Sequence, residues 1–423
     1  MERNAILVGV NLKNNQEEFE YSMEELENLA EACDVNVLAE ITQNLNQINK
    51  SHYIGKGKIQ ELAALMEEKD ANLVIFDDEL SPSQIRNLES ELDCEVIDRT
   101  MLILAIFAER AKTRESQLQV EVARLKYMLP RLVGMRESLG RQGGGSGLKN
   151  RGAGETKLEL DRRKIEEKIA KLSKELENLV AQRKTQRKQR HKNEIPVVSL
   201  VGYTNVGKST IMNAMLEALG NSEEKQVFEK NMLFATLETA VRKIALPNNK
   251  SFLLTDTVGF INKLPHHLVK AFRSTLEEVT EADLLIHVVD FSNPNHEEQR
   301  KLTNKVLAEI GVTDIPILYV YNKAELMNED LPQIQGEDVY ISAKNRIGIE
   351  ELTQQISKRI FIDYVQCDLL IPYSEGDIVS YFSEHGHVLS TEYEEGGTKL
   401  RVECKKAAAK KFHEYVVNEV RII

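Results

Sequence analysis

The sequence predicts a multi-domain α/β chain, and three observations carry that prediction. Two separate stretches, 1–113 and 193–362, alternate short Val-, Ile- and Leu-rich runs with longer amphipathic ones. Between them, two heptad-like apolar seams flank a glycine-rich run. Beyond 362, strand-like runs dominate a short tail that closes on a helix-like segment.

Length and composition set the bounds. A chain of 423 residues is expected to hold about three domains, and 42% hydrophobic with 29% charged residues is the balance of a water-soluble protein. The longest apolar run, Met101 to Ala108, is far shorter than the ~18 residues a membrane span needs. The opening residues, with Ala5 to Val10, read as a first strand rather than a leader. Cys33, Cys94, Cys367 and Cys404 are scattered without metal or redox spacing, so a cytoplasmic monomer with no membrane partner is expected. The net charge of −12 is unevenly spread. Residues 110–192 carry 23 Lys/Arg against 10 Asp/Glu, a balance of +13, and the rest of the chain carries −25. Such a basic block fits a polyanion, nucleic acid above all; a solvated pair of charged helices explains it equally well.

In the first domain, 1–113, the expected strands are Ala5–Val10, Asp34–Leu38, Asn72–Phe76 and Cys94–Ile97. Ser81 before Pro82 is a helix start, a hydroxyl cap followed by proline in the first turn. Asp98 and Thr100 open a second, apolar helix through Ala108. From 114 to 192 the period changes. Leu118, Val122, Leu125, Leu129 and Leu132 form one seam, and Ile165, Ile169, Leu172, Leu176 and Leu179 another. Together they predict an antiparallel helical hairpin, kinked or ended at Pro130, with a glycine-rich tip over 140–154. Arg131, Arg136, Arg141, Lys149 and Arg151 at the tip are the candidate nucleic-acid contacts. The tail, 363–423, is expected as a small α+β domain with strands at Asp368–Ile371, Val388–Tyr393 and Lys399–Val402 and a final helix from Cys404.

The chemistry lies between 193 and 362. The apolar strand Val197–Val201 runs into Gly202, Tyr203, Thr204, Asn205, Val206, Gly207, Lys208, Ser209 and Thr210, and then an apolar helix. That is a phosphate-binding loop in its required context: backbone N–H groups and a helix N-terminus face the phosphates. Lys208 is expected on the β/γ-phosphates and Ser209 on Mg²⁺. Downstream, Asp256 and Gly259 follow one strand, expected to hold Mg²⁺ through water and to meet the γ-phosphate through an N–H. Asn322, Lys323 and Glu325 follow a second strand, where guanine is read. Ser342, Ala343 and Lys344 follow a third. Four motifs, each after a strand, describe a G domain with a mostly parallel sheet that binds GTP or GDP at its carboxyl edge. A metabolite kinase needs no such base reader.

These residues resemble the HflX-type ribosome-associated GTPases. The resemblance spans about residues 5–360 and extends outside the G domain. It is carried by His52 to Lys58, Asp98 to Met101, Ala108 to Arg114, Gly154 to Lys164, and Leu233 to Leu237. It implies Thr236 as the switch residue that closes on Mg²⁺ and the γ-phosphate; the residues alone leave Thr239 open. Lys208, Thr236 and Gly259 are then the expected catalytic set. Phe260 stands where Ras-like GTPases carry a water-orienting glutamine, so unassisted hydrolysis is expected to be slow. Asn205 reads first as a brace of the loop and second as the ligand of a monovalent cation such as K⁺. Glu325 departs from the usual aspartate by one methylene, which relaxes the expected guanine preference and leaves room for some ATP use. Gly55 and Gly57 read first as a tight turn and second as a loop for phosphate or nucleic acid. His52 has no partner spacing, and Met101, Met128 and Met135 read as core.

The resemblance implies a GTPase that binds the large (50S) ribosomal subunit and its rRNA. It would split or recycle stalled 70S ribosomes and reach the peptidyl-transferase region through Gly143–Gly154, with consequences for stress rescue or antibiotic resistance. The alternative is an rRNA-binding GTPase of subunit assembly or storage that does not split ribosomes.

Overall fold

The computed structural model describes residues 3–12, 16–139, 149–192, 195–219, 234, 239–265, 279–327 and 330–421, with side chains at 132–139, 149–159, 183–192 and 419–421 outside the description. These residues form two compact units. One joins Met1–Gln189 to Lys230–Glu238 and Val258–Leu276; the other joins Arg190–Glu229, Thr239–Thr257 and Glu277–Ile423.

The first unit opens with four strands, β1 (Asn4–Asn11), β2 (Asn36–Asn44), β3 (Leu73–Phe76) and β4 (Glu95–Asp98), all parallel in the order β2-β1-β3-β4. Helices α1 (Gln16–Glu31), α2 (Lys56–Lys69), α3 (Pro82–Leu92) and α4 (Arg99–Arg110) alternate with them. β1 and β3 are almost wholly buried, which is why they read as unbroken apolar runs. Ile6, Val8, Val74, Phe76 and Val96 pack with Ile59, Leu62 and Leu88 in one core. Ser81 starts α3 as expected, with Gln84 completing a capping box, and the Asp98 carboxylate accepts the Met101 N–H at 3.0 Å to start α4. β2 runs six residues past the expected end at Leu38. It is an edge strand, so its outward side chains are polar and mask it in the sequence.

Helices α5 (Arg114–Leu139) and α6 (Lys149–Lys192) form the hairpin, held antiparallel by a two-pronged Arg114–Glu175 pair at 2.8 and 3.0 Å and by Lys168–Glu121 at 2.6 Å. Two expectations narrow here. Of the kink or end expected at Pro130, the end does not occur, because α5 passes through it. A proline removes only one N–H from the ladder, and the buried Tyr127 and Arg131 on either side tie this turn to Asp98. The second helix begins at Lys149, so Gly152 and Gly154 are helical and only 140–148 of the expected tip falls between the helices; that segment lies outside the described residues.

In the second unit, β5 (Val197–Gly202), β6 (Ala240–Ala245), β7 (Ser251–Asp256), β8 (Leu284–Asp290), β9 (Ile317–Asn322), β10 (Gln333–Gln335) and β11 (Asp338–Tyr340) make a seven-stranded sheet in the order β10-β11-β9-β8-β5-β7-β6. Only β6 and β10, at the two edges, run antiparallel to their neighbours. Helices α7 (Lys208–Ala218), α8 (His296–Glu309) and α9 (Ile349–Ile360) accompany it. The tail is a β-α-β-β-α-β module: β12 (Tyr364–Ile371), α10 (Gly376–His385), β13 (His387–Glu394), β14 (Gly397–Lys405), α11 (Lys406–Lys411) and β15 (Val416–Arg421). The sheet, β13-β14-β12-β15, is antiparallel throughout, and β12 alternates buried and half-buried residues, as a one-faced sheet must. The expected final helix from Cys404 shrinks to six residues. Lysines and alanines favour helix locally, but Val416–Arg421 pairs with β12 instead.

Candidate functional site

The site grows out of the turn between β5 and α7. Gly202 and Gly207 both have positive φ, +147° and +94°. A Cβ on Gly207 would lie 2.2 Å from Asn322 Nδ2, and one on Gly202 would lie 2.3 Å from the Val288 carbonyl oxygen. Glycine is therefore required at both positions by backbone conformation and by space. Asn205 is exposed and also left-handed, at +60°, a conformation asparagine tolerates. Tyr203, Thr204 and Val206 are buried beneath the loop, and Thr210 is half-buried in the first turn of α7.

Lys208 is 7% exposed, and its ammonium donates to the carbonyls of Tyr203 at 2.7 Å and Gly202 at 3.3 Å. Burial pushes it down to about 8, with the negative charge of Asp256 opposing the shift. Ser209 Oγ donates to Asp256 Oδ2 at 2.6 Å, joining the start of α7 to the end of β7. Two hard oxygen donors thus meet at a helix N-terminus beside a buried cation, a donor set that fits Mg²⁺ and an anionic ligand. Behind them, Thr257 Oγ1 donates to the Leu200 carbonyl at 2.7 Å and fixes the strand ends in register.

Asn322 stitches two loops together. Its Nδ2 donates to the Val206 carbonyl at 2.8 Å, and its Oδ1 accepts the Ala343 N–H at 2.9 Å. Lys323, left-handed at +62°, donates to Asp290 Oδ2 at 2.6 Å. Glu325 sits on the 3₁₀ turn Ala324–Met327, and its Oε2 is buried without a hydrogen-bond partner among the described residues. A buried carboxylate oxygen left unsatisfied is costly, and its position at the carboxyl edge fits a donor-bearing base. Ser342 and Ala343 are fully buried, whereas Lys344 is exposed. Gly259 follows Asp256 by three residues, and the Phe260 side chain next to it is buried. Thr236 lies outside the described residues; Thr239 is half-buried just before β6.

Arg131 requires correction as a nucleic-acid contact. It is buried, donates to Asp98 Oδ2 and the Leu80 carbonyl, both at 3.0 Å, and lies over the Tyr127 ring at 3.3 Å. Its guanidinium is paired with Asp98 inside the first unit and is buried from solvent. Arg141 lies outside the described residues, as do the side chains of Arg136, Lys149 and Arg151. Gly55 and Gly57 have negative φ. Gly55 precedes α2 and its N–H donates to Gln43 Oε1 at 3.0 Å, so they shape a helix start in place of a tight turn.

Sequence reasoning missed a buried ionic cluster in the first unit. Arg99, 1% exposed, pairs with Asp77 and Glu25 at 2.6 Å each and donates to the Ser22 carbonyl at 2.7 Å. Lys263, four residues past Gly259, pairs with Asp77 and, at 2.7 Å, with Asp78. Burial opposes the charge on Asp77, yet Arg99 and Lys263 hold its carboxyl below the usual range. Arg99 belongs to a run already singled out in the sequence, but nothing local pointed to partners 22, 74 and 77 positions away.

Three family models match in succession: GTP-binding GTPase N-terminal over residues 20–108, GTP-binding GTPase middle region over 110–190, and 50S ribosome-binding GTPase over 197–323. A GTPase HflX from Caldanaerobacter subterraneus subsp. tengcongensis is 45% identical over 414 residues, covering 98% of this chain and 94% of the relative. One from Escherichia coli is 40% identical over 382 residues, covering 89% and 88%. Among solved structures, a GTP-binding protein from Sulfolobus solfataricus in complex with GDP is 26% identical, covers 85% of this chain and 99% of its own, and has a TM-score of 0.44. Among the described residues no helix is long and apolar enough to cross a membrane.

Proposed function

The chain belongs to the HflX GTPases, and from that membership we propose that it uses GTP hydrolysis to time its residence on the large ribosomal subunit, splitting or recycling stalled 70S ribosomes. The observation that carries the guanine part is the loop stitching by Asn322 together with the buried Oε2 of Glu325, which has no partner among the described residues. An acceptor held ready at that edge matches the N1–H and amino donors of guanine. Asp290 braces Lys323 alongside it.

In this reading, the loop N–H groups and Lys208 hold the phosphates, and Ser209 and Asp256 hold Mg²⁺, which when bound neutralises charge on the transferred phosphoryl group. The Gly259 N–H meets the γ-phosphate, and Thr236 closes over it. The buried Phe260 has no polar atom to orient a water, so the protein alone hydrolyses slowly and the ribosome completes the electrostatics. Asn205 first braces the loop in this reading, with ligation of a monovalent cation such as K⁺ as its second role. The family description of a 50S ribosome-binding GTPase supports the choice of partner. The basic charge of 110–192 suits rRNA, whose phosphate contacts make affinity fall with salt. Arg136, Arg141, Lys149 and Arg151 remain the proposed contacts. The same excess of basic charge also suits a role in assembly or storage without splitting.

The decisive experiment measures GTP hydrolysis by the full chain with and without 50S subunits, alongside sedimentation of 70S ribosomes. Stimulation by 50S with conversion of 70S to subunits is expected. Stimulation with 70S intact replaces splitting by the assembly reading, and hydrolysis indifferent to 50S overturns both.

A further inference from the structure

The turn between β6 and β7 is a loop tip, and such tips usually stand in water. This one does not. Lys250 is 8% exposed: its ammonium pairs with Glu403 of β14 and lies 4.6 Å from the centre of the Tyr364 ring and 5.1 Å from that of Phe361. Beside it, Asn249, left-handed at +57°, donates from Nδ2 to the carbonyls of Gly386 at 3.1 Å and Ser383 at 3.4 Å. Those carbonyls belong to the last turn and cap of α10, where backbone acceptors have no partner within the helix. The hairpin tip therefore fills an aromatic and acidic socket in the β-α-β-β-α-β module and caps one of its helices.

The other end of the same hairpin is at the site. Ala240, the first residue of β6, pairs with Asp256, the last of β7, and Asp256 accepts the Ser209 hydroxyl. At ~3.3 Å per residue, the six residues of β7 set the socket roughly 20 Å from the carboxylate. Among the described residues β6 is the edge of the sheet and pairs with β7 alone, so its position depends on that partner and on what holds its tip. The segment just before it carries Thr239.

We infer that the C-terminal module acts on GTP hydrolysis through this hairpin, with Lys250 as a positioning residue that keeps Asp256 and the start of β6 in place. The inference rests on the reading of Asp256 as part of the nucleotide site. A tip that served merely as glue would affect stability and nothing else. A tip that positions the far end changes turnover while leaving nucleotide capture largely alone, because Lys208 and the loop N–H groups are not on the hairpin.

The test is steady-state GTP hydrolysis by the full chain carrying Lys250→Met, Lys250→Arg or Glu403→Gln. Hydrogen exchange at 246–250 reports whether the tip has loosened, and Asp256→Asn serves as a separate control. Lys250→Met is expected to lower kcat about fivefold with KM within about twofold, the size of an ordinary coupling between sites. Lys250→Arg, which keeps the cation in its socket, restores kcat. Glu403→Gln gives a smaller loss in the same direction and stands in if Lys250→Met does not fold. Faster exchange at the tip with kcat unchanged overturns the inference, as does equal loss in Lys250→Met and Lys250→Arg. Full hydrolysis by Asp256→Asn instead overturns the site reading on which it rests.

Discussion

Two buried cations, one in each compact unit, show opposite designs. Arg99 is enclosed by the carboxylates of Asp77 and Glu25, and although burial works against its charge, those neighbours raise its pKa further. Lys208 is nearly as buried, but its ammonium rests on two backbone carbonyls, and burial lowers it to about 8. The first cation is neutralised by the fold and holds it together. The second is kept under-neutralised at a helix N-terminus, which costs stability and leaves attraction for an incoming anion. A buried charge without a full counter-charge is thus a mark of a binding site, and a saturated one a mark of architecture.

The largest effect expected from this contrast comes from Arg99→Met. It leaves Asp77 and Glu25 buried with one neutralising partner removed, and a loss of about 3–5 kcal/mol in chemical denaturation follows. A loss under about 1 kcal/mol would mean the cluster relaxes without its arginine. Lys208→Met sharpens the other side. GDP affinity, measured by fluorescent-nucleotide titration, should fall roughly 100-fold as charge-assisted bonds to the phosphates disappear. The thermal midpoint without nucleotide should not fall, since a destabilising charge has gone; a lowered midpoint would contradict the contrast.

The smallest and most graded effect is on pH. Lys208 loses its proton in the free protein near pH 8, while bound phosphates favour the charged form. GDP affinity should therefore decline about tenfold per pH unit above 8. Its stability term has the opposite sign: the folded pKa lies below the ordinary lysine value, so the cost of burial is relieved as pH rises from about 8 toward 10.5. Asp77 responds at the acid end. Its pKa is lowered on folding, so its contribution is present above the ordinary carboxylate range and is lost as pH falls through the lowered value. Coincident pH midpoints for nucleotide affinity and acid unfolding would remove the distinction between the two clusters.

The sequence by itself determined what short-range chemistry determines. A glycine-bounded loop after an apolar strand, with Lys208 and Ser209 opening a helix, needs only nine consecutive residues, and its form follows from backbone conformation and the helix dipole. The starts of α3 and α4 were legible for the same reason, because Ser81 and Asp98 act within one turn of their own positions. Tertiary structure alone decided where distant residues meet. Arg131 reads as one more tip arginine until Asp98 and Leu80 close around it. Val416–Arg421 reads as the end of a helix until β12 offers a strand to pair with. Lys250, to which no motif or period points, gains its partner only when Glu403, 153 positions on, is folded against it. Local backbone preference is written in adjacent residues. The partner that neutralises a charge or completes a ladder is fixed only when folding brings distant segments together, and period and spacing carry no record of it.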